Sequence, residues 1–254
     1  MKIATWNVNS LKVRLPQVLD WLDQTRPDVL ALQETKLADE QFPRAAFEDA
    51  GWQVAFSGQK TYNGVALVAR SEPTEVVTDI PGVDDPQRRI LGATVDGVRI
   101  YDLYVPNGKE VGSDKYRYKL DWLERMRSHL ADELADHPRL AVVGDFNITP
   151  GDADVHDPEA LAGQIHCSDA ERAALTRIEA LGLRDTLRLF EQPERAFSWW
   201  DYRANAFRRD LGLRIDLVLA SERLAADCRG CRIDVGPRRN ERPSDHAPVM
   251  AEFE

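Results

Sequence analysis

The sequence predicts an α/β (α+β) fold in which two mixed β-sheets pack face to face, with helices outside, in one domain over residues 1–254. Three observations carry that expectation. Short apolar runs rich in β-formers stop at polar residues, as in Leu140-Ala141-Val142-Val143-Gly144-Asp145-Phe146-Asn147. Asp96-Gly97 and a polar Gly/Lys/Asn turn join neighbouring runs as antiparallel hairpins. Helical periodicities are interleaved with strands in both halves, and no Ser/Gly linker, low-complexity tract or close repeat divides them.

Taken in order, Lys2 to Trp6 alternate as a strand that ends at Asn7. Leu11, Leu15, Val18, Leu19 and Leu22 recur at helical spacing, and Pro27 closes that helix. Val29 to Leu32 is a buried strand that delivers Gln33-Glu34-Thr35-Lys36 at its end. Trp52 to Ser57 pairs with Gly64 to Arg70, and Pro73 to Ile80, Ile90 to Val95 and Val98 to Tyr104 continue the meander. Ser113 to about Ala135 reads as a long amphipathic helix with Tyr116, Leu120, Leu123, Leu130 and Leu134 inside and Trp122 off the stripe. Leu140 to Asp145 is a central strand, and Pro150 to Ile165 is irregular and acidic. Ser168-Asp169-Ala170-Glu171 is a capping box for a helix through Leu181. Beyond the apolar cluster Leu183 to Phe190, a strand from Leu213 to Leu219 carries Asp216 inside it, and Val249 to Phe253 is the last strand.

Composition excludes several classes. Lys and Arg number 33 against 43 Asp and Glu, a formal net charge of −10. Bulk charge therefore does not attract polyanions, and any nucleic-acid contact must be local or bridged by a metal ion. No apolar run is long enough to span a bilayer, and Met1 to Trp6 enter a strand pattern rather than a signal peptide; a soluble, cytoplasmic monomer is expected. The three cysteines, Cys167, Cys228 and Cys231, make no disulfide framework. Cys228 and Cys231 form a Cys-x-x-Cys pair, but a zinc site needs two more ligands, and the flanks read as turn and strand. There is no Gly-x-x-x-x-Gly-Lys loop for a nucleotide.

The strand ends hold the chemistry. Alone, Asp145 and Asn147 fit a turn into Pro150-Gly151, and Glu34 fits a cap. Yet Asn7, Glu34, Tyr104, Asn107, Asp145 and Asn147 all fall where an α/β sheet presents catalytic groups. Asp216 is costly to bury without a partner. That partner is either His246, whose tautomer a carboxylate can fix, or Arg214. With Asp245 and His246 the inventory is rich in oxygen donors, and no Ser or Cys stands as a nucleophile beside the histidine. Such donors suit a hard cation such as Mg²⁺, and favour metal-assisted attack of water on a phosphoester over acyl transfer.

Trp6-Asn7-Val8-Asn9, Leu32-Gln33-Glu34-Thr35-Lys36, Tyr104-Val105-Pro106-Asn107, Gly144-Asp145-Phe146-Asn147, Leu213-Arg214-Ile215-Asp216 and Ser244-Asp245-His246-Ala247-Pro248 stand in one order along the chain. In these motifs the sequence resembles the exonuclease III family of abasic-site DNA endonucleases, within the endonuclease/exonuclease/phosphatase superfamily. Phe197-Ser198-Trp199-Trp200-Asp201-Tyr202-Arg203 and Gly212 to Asp216 resemble its DNA-repair branch. The resemblance implies a four-layered α/β sandwich and a Mg²⁺-dependent hydrolase, with Mn²⁺ as a substitute. It would cut double-stranded DNA 5′ to abasic sites and clean or digest 3′ ends.

It also implies Glu34 as the principal metal ligand, with Asn7 and Asp245 near the ion. Asp145, positioned by Asn147, would orient or deprotonate water, and His246, held by Asp216, would contact the scissile phosphate. Tyr104 would contact the same phosphate or the leaving oxygen. Both Asp145 and a His246/Asp216 pair stand as candidates for the general base. Asn107, Arg89, Lys115, Arg203 and Arg208 are the expected DNA contacts, with Arg88, Arg209, Arg238 and Arg239 available to the same basic edge. Trp199 would wall a pocket for an extruded abasic sugar, completed by Leu213 and Ile215. The short hairpin from Ile90 to Tyr104 and the stretch from Gly151 to Cys167 depart from the family pattern, which leaves the balance of endonuclease and exonuclease action open.

Two other readings compete. A phosphatase or phosphodiesterase for inositol phosphates or sphingolipids would share Glu34, Asp145-Phe146-Asn147 and Asp245-His246, but would not call for the aromatic stretch at Trp199. A DNA-binding relative without chemistry should lack a metal or phosphate group, and none is missing.

Overall fold

The computed structural model describes residues 1–83 and 85–254. Along the chain, β1 (Lys2–Asn7), α1 (Leu11–Thr25), β2 (Val29–Gln33) and α2 (Arg44–Asp49) precede the hairpin β3 (Gln53–Ser57) and β4 (Val65–Ala69). Next come β5 (Thr74–Val77), β6 (Ile90–Val95) and β7 (Val98–Tyr104), and α3 (Asp114–Asp136) crosses over to β8 (Leu140–Asp145). The one-turn α4 (Pro158–Leu161), α5 (Asp169–Glu179) and β9 (Leu183–Asp185) follow. The chain ends with β10 (Asp216–Ser221), α6 (Glu222–Ala225), β11 (Cys228–Ile233) and β12 (Val249–Phe253).

The strands form two six-stranded sheets, ordered β11-β12-β1-β2-β4-β3 and β5-β6-β7-β8-β10-β9. Each has one parallel pair at its centre, β1 with β2 and β7 with β8. Side chains alternate between faces with a period of two, so each strand supplies two layers of core. Ile3, Val29, Ala31 and Leu67 of the first sheet meet Ala93, Ile100, Ala141, Val143 and Val218 of the second. Trp6, Leu30, Leu32 and Val68 turn outward onto Leu11, Val18 and Leu22 of α1 and Phe47 of α2. On the far side, Tyr101, Leu103, Val142 and Leu217 pack on Leu123, Met126 and Leu130 of α3 and Leu175 and Ile178 of α5. The result is helix, sheet, sheet, helix, the four-layered sandwich.

Local signals set the helix ends. Ser113 accepts a bond from Tyr116 N at the start of α3, and Ser168 and Glu171 form the reciprocal capping box of α5. The buried face of α3 differs from the expected stripe. Trp122 lies in it, whereas Leu120 and Leu134 sit at its margin, because the face also takes in Lys119 and His129. Two strand expectations also shift. Pro73 to Ile80 narrows to Thr74–Val77, whose pairing is irregular. Leu213 to Leu219 becomes Asp216–Ser221, because Leu213 instead bridges Val155 and Trp199. Asp216 is therefore the first residue of a strand rather than its middle.

One buried polar pair links the sheets behind the rim. Gln33 Nε2 donates to Asp102 Oδ1 at 2.6 Å and to Thr5 Oγ1 at 2.8 Å, all three residues being buried. Gln33 Oε1 and Asp102 Oδ2 are left without a partner among the described residues. Burial pushes the Asp102 carboxyl well above its usual range, which favours its protonated form, and a proton there would supply the donor that two orphan acceptors lack. In the unfolded chain the same group ionises above about pH 3.9, so it withdraws stability as pH rises from there. Asp102→Asn is expected to gain stability over the parent, by about 1 kcal/mol or more, between pH 5 and pH 8 in urea unfolding. Parallel pH profiles for the two proteins would show that Asp102 is charged in the fold.

Candidate active site

Register gathers the polar residues on one rim. Asn7 lies opposite Gln33 in the parallel pair of the first sheet, and Tyr104 lies opposite Asp145 in that of the second. Antiparallel β10 starts at Asp216, opposite the same Asp145. β12 runs antiparallel to β1, with Val249 opposite Thr5, so the residues just before it, Asp245 and His246, reach this rim too. Gly144 precedes Asp145 at φ +138°, and a Cβ there would stand 1.9 Å from Leu103 O. A side chain would push β7 and β8 apart at the rim.

At the centre, Asn7 Nδ2 donates to Glu34 Oε1 and to Asp145 Oδ2, each at 2.9 Å. One carboxamide thus joins a carboxylate of each sheet. Burial works against the charge of Glu34, but Lys36 at 2.8 Å and Asn7 outweigh it and hold the carboxyl below its usual range. Asp145 has no lysine or arginine at contact distance among the described residues. Burial pushes it up to about 7, against the pull of His246, while Asn147 N fixes its Oδ1 at 2.9 Å.

Asp216 is completely buried, and it accepts from Ser198 Oγ at 2.6 Å and His246 Nδ1 at 2.9 Å. Arg214, the other candidate partner, bonds Asp154 at 2.6 Å and Asp185 at 2.7 Å instead. Burial opposes an imidazolium, yet Asp216 and Asp145 outweigh that and push His246 up to about 10. His246 is therefore a cation at neutral pH, with Nδ1–H on Asp216 and Nε2 3.8 Å from Asp145 Oδ2.

Asp245 accepts from Asn9 Nδ2 and from Trp199 Nε1, each at 2.9 Å. Tyr104 carries Arg89 over its ring at 4.6 Å, and the guanidinium also donates to Tyr104 O at 3.1 Å. Burial, with Glu34 and Asp145 nearby, keeps the phenol protonated and a donor. Asn107 Nδ2 donates to Asn147 Oδ1 at 3.1 Å. Glu34, Asp145 and His246 each bring one ligand atom within 4.8 Å of the others. Clustered carboxylates with a carboxamide between them fit a hard divalent cation, and such an ion would oppose the upward shift at Asp145. His246 is a poorer ligand here because its charged form offers only donors.

The outer contacts divide. Arg89, Asn107 and Lys115, with Lys109, line a groove of about 490 Å³ beside Tyr118. Arg203 folds back on Asp201 at 2.6 Å, and Arg208 is exposed; neither bonds the central group among the described residues. Arg238 turns inward, donating to Ser244 O with its guanidinium over Phe207, and Arg88 pairs with Asp79. These two do not form the expected basic edge. Trp199 is half-buried and faces His246 and His166, each at 6.5 Å between ring centres, while Leu213 and Ile215 are buried with Val155 and Cys167. Cys228 and Cys231 are free and buried.

Several pairings have no signature in the sequence. Asn9, Lys36 and Ser198 lie inside motifs the sequence singles out, but their partners Asp245, Glu34 and Asp216 come from the fold, and His166 has no local pattern to mark it. Lys119 carries a weak signal, as a lysine on the inner face of an amphipathic helix.

A family model described as the endonuclease/exonuclease/phosphatase family matches residues 4–246. The chain is 34% identical to the exodeoxyribonuclease III of Haemophilus influenzae, covering the whole of both proteins. Among solved structures, the 3′ phosphatase NExo from Neisseria bound to product DNA hairpin superposes with a TM-score of 0.98 at 49% identity, over 100% of this chain and 99% of that one. An AP endonuclease from Archaeoglobus fulgidus superposes with a TM-score of 0.96 at 39% identity, again over 100% and 99%.

The Asp216 anchor can be tested by stability alone. Ser198 Oγ donates to Asp216 and accepts from Ile215 N and Asp216 N, both at 3.1 Å. Ser198→Ala strands those buried groups and is expected to cost about 1–3 kcal/mol in urea denaturation. An unchanged midpoint would show that Ser198 does not hold Asp216 in place.

Proposed function

The chain belongs to the endonuclease/exonuclease/phosphatase family, and we propose that it is a metal-dependent DNA repair nuclease. In this reading residues 1–254 form a single catalytic domain that hydrolyses the phosphodiester 5′ to abasic sites in double-stranded DNA and clears 3′ ends. It works as a monomer in the cytoplasm. The observation that carries the reading is the Asn7 amide joining Glu34 and Asp145 beside a cationic His246. DNA is favoured over a small phosphoester because the Haemophilus, Neisseria and Archaeoglobus relatives are named for acting on DNA or its ends. Arg89, Lys109 and Lys115 also line one groove with Asn107, the positive charge that a phosphate backbone calls for.

Glu34 would hold Mg²⁺, or Mn²⁺ in its place, with Asn7 beside it. Asp245, held by Asn9 and Trp199, would stand near the ion and add negative charge there. When bound, the ion neutralises charge on the scissile phosphate. The chain's own groups do the rest. Asp145, with both oxygens anchored, points in one direction and can align a water and take its proton. Asp216 and Asp145 together push His246 upward, toward the protonated form, which favours Asp145 over the histidine as that base. With Nδ1 committed to Asp216, its Nε2–H is free to meet the negative charge that builds on phosphate oxygen. Tyr104, kept protonated, donates to the same phosphate or to the leaving 3′ oxygen.

The test uses duplexes that are intact, nicked with a 3′ phosphate, or carry one abasic site, with Mg²⁺ or EDTA. Strand cleavage at the abasic site and release of the 3′ phosphate are expected with Mg²⁺ and lost with EDTA. Asp145→Asn is expected to bind the abasic duplex as the parent does but to cut it at least ~100-fold more slowly. Near-parental cleavage by this variant would remove Asp145 from the mechanism. Failure to cut any of the DNAs, together with phosphate release from an inositol phosphate, would overturn the nuclease reading.

A further inference from the structure

We infer that Lys119, paired with Glu171, is a positioning residue for the proposed hydrolysis, setting Asp145 through the backbone of Asn147. The inference rests on the nuclease reading above. Lys119 and Glu171 are both fully buried, with Nζ 2.5 Å from Oε1. An ammonium has three donors and no acceptor, and here the other two go to Asn147 O at 2.7 Å and Asn107 O at 3.2 Å. Among the described residues these are its only hydrogen-bond partners, so Lys119 acts on the rim solely through two carbonyls.

Those carbonyls belong to the two asparagines that follow β8 and β7. Asn147 stands at φ 51°, in the left-handed region that asparagine tolerates better than most residues. Its carbonyl is drawn inward by Lys119 and also by His166 Nδ1 at 2.6 Å. With the carbonyl turned inward, Asn147 N reaches Asp145 Oδ1 at 2.9 Å, Nδ2 reaches Val105 O at 3.0 Å, and Oδ1 receives Asn107 Nδ2. The direction of the catalytic carboxylate is thus fixed one residue away from the lysine.

Glu171 completes the device. Its Oε1 also accepts from His166 N at 3.2 Å, and its Oε2 accepts from Ser168 N at 3.2 Å and Ser168 Oγ at 2.6 Å. The pair therefore ties the ends of β7 and β8 to α3 and to the first turn of α5. Stability alone gives little reason for such a pair, because buried ion pairs are commonly matched or bettered by apolar residues of similar volume. An apolar residue could fill the space but could not hold two carbonyls.

Two variants test this against a merely structural role. Lys119→Met/Glu171→Gln removes both charges, so no buried ion is left unpaired, but both carbonyls lose the ammonium, and Asn147 O keeps only His166 Nδ1. Its kcat on the abasic duplex with Mg²⁺ should fall at least ~10-fold while KM stays within ~3-fold of the parent. Glu171→Gln alone costs the ammonium its counter-charge but keeps its two carbonyl bonds, so its kcat should fall less than that of the double variant even where its melting temperature drops as far. A double variant with parental kcat, a loss confined to KM, or a kcat in Glu171→Gln as low as in the double variant would each overturn the inference. The parent protein is assayed alongside. An inactive parent sinks the nuclease reading, whereas an active parent with unchanged variants sinks only the role of Lys119.

Discussion

The rim depends on a single constraint, which is that two sheets end in carboxylates at the same place. Glu34 comes from the first sheet and Asp145 from the second, and without a group between them their like charges would press the sheets apart. Asn7 answers this with the two hydrogens of one amide, one for each carboxylate. Lys36 and His246 add positive charge on opposite sides, but Asp216 and Asp245 add more negative charge behind them. The balance remains acidic, and that excess is what a hard divalent cation is suited to meet. The geometry that makes the fold awkward at this edge is the same geometry that makes it reactive.

Holding the rim in place falls to bonds between segments far apart in sequence. Ser244 Oγ donates to Asn7 O at 2.6 Å and accepts from His246 N at 3.2 Å, which fastens the approach to β12 onto the end of β1. Ser198 ties the aromatic loop to β10, and Ala247 N closes back on Ser198 O at 2.7 Å. These groups bond rim residues without being candidate ligands or proton donors themselves. They restrict the rim's side chains to one arrangement, as the proposed phosphate chemistry would require. Buried polar contacts of this kind return little net stability each, so their concentration at one edge is better explained by orientation than by folding energy.

The layers are readable from the sequence because strand and helix periodicities differ and each leaves a long trace. The strand ends are readable because apolar runs stop abruptly at Asn7, Glu34, Tyr104 and Asp145. Strand boundaries are harder. Leu213 and Ile215 look like strand to any local pattern, yet cross-chain bridges from Leu213 to Val155 and Trp199 delay β10 until Asp216. Arg238 shows the same limit from the charged side. Its sequence neighbourhood is polar, but packing on Phe207 and a bond to Ser244 O bury it. Lys119 is hidden for a related reason: on the inner stripe of α3 it reads as an interruption, and only Glu171, on another helix, explains it.

A net charge of −10 is at odds with a polyanionic partner only if charge is treated as an average. Local fields decide the contact, because at physiological salt exposed charges are screened beyond roughly 8 Å. Arg89, Lys109 and Lys115 share one groove at the rim, while other basic groups are engaged, with Arg88 on Asp79 and Arg203 on Asp201. The acidic groups at the rim itself are the ones a cation would offset. In the proposed reading, a surface that offers DNA no bulk attraction, with one small basic groove, would favour contact beside the acidic rim, where a metal ion would offset the negative charge.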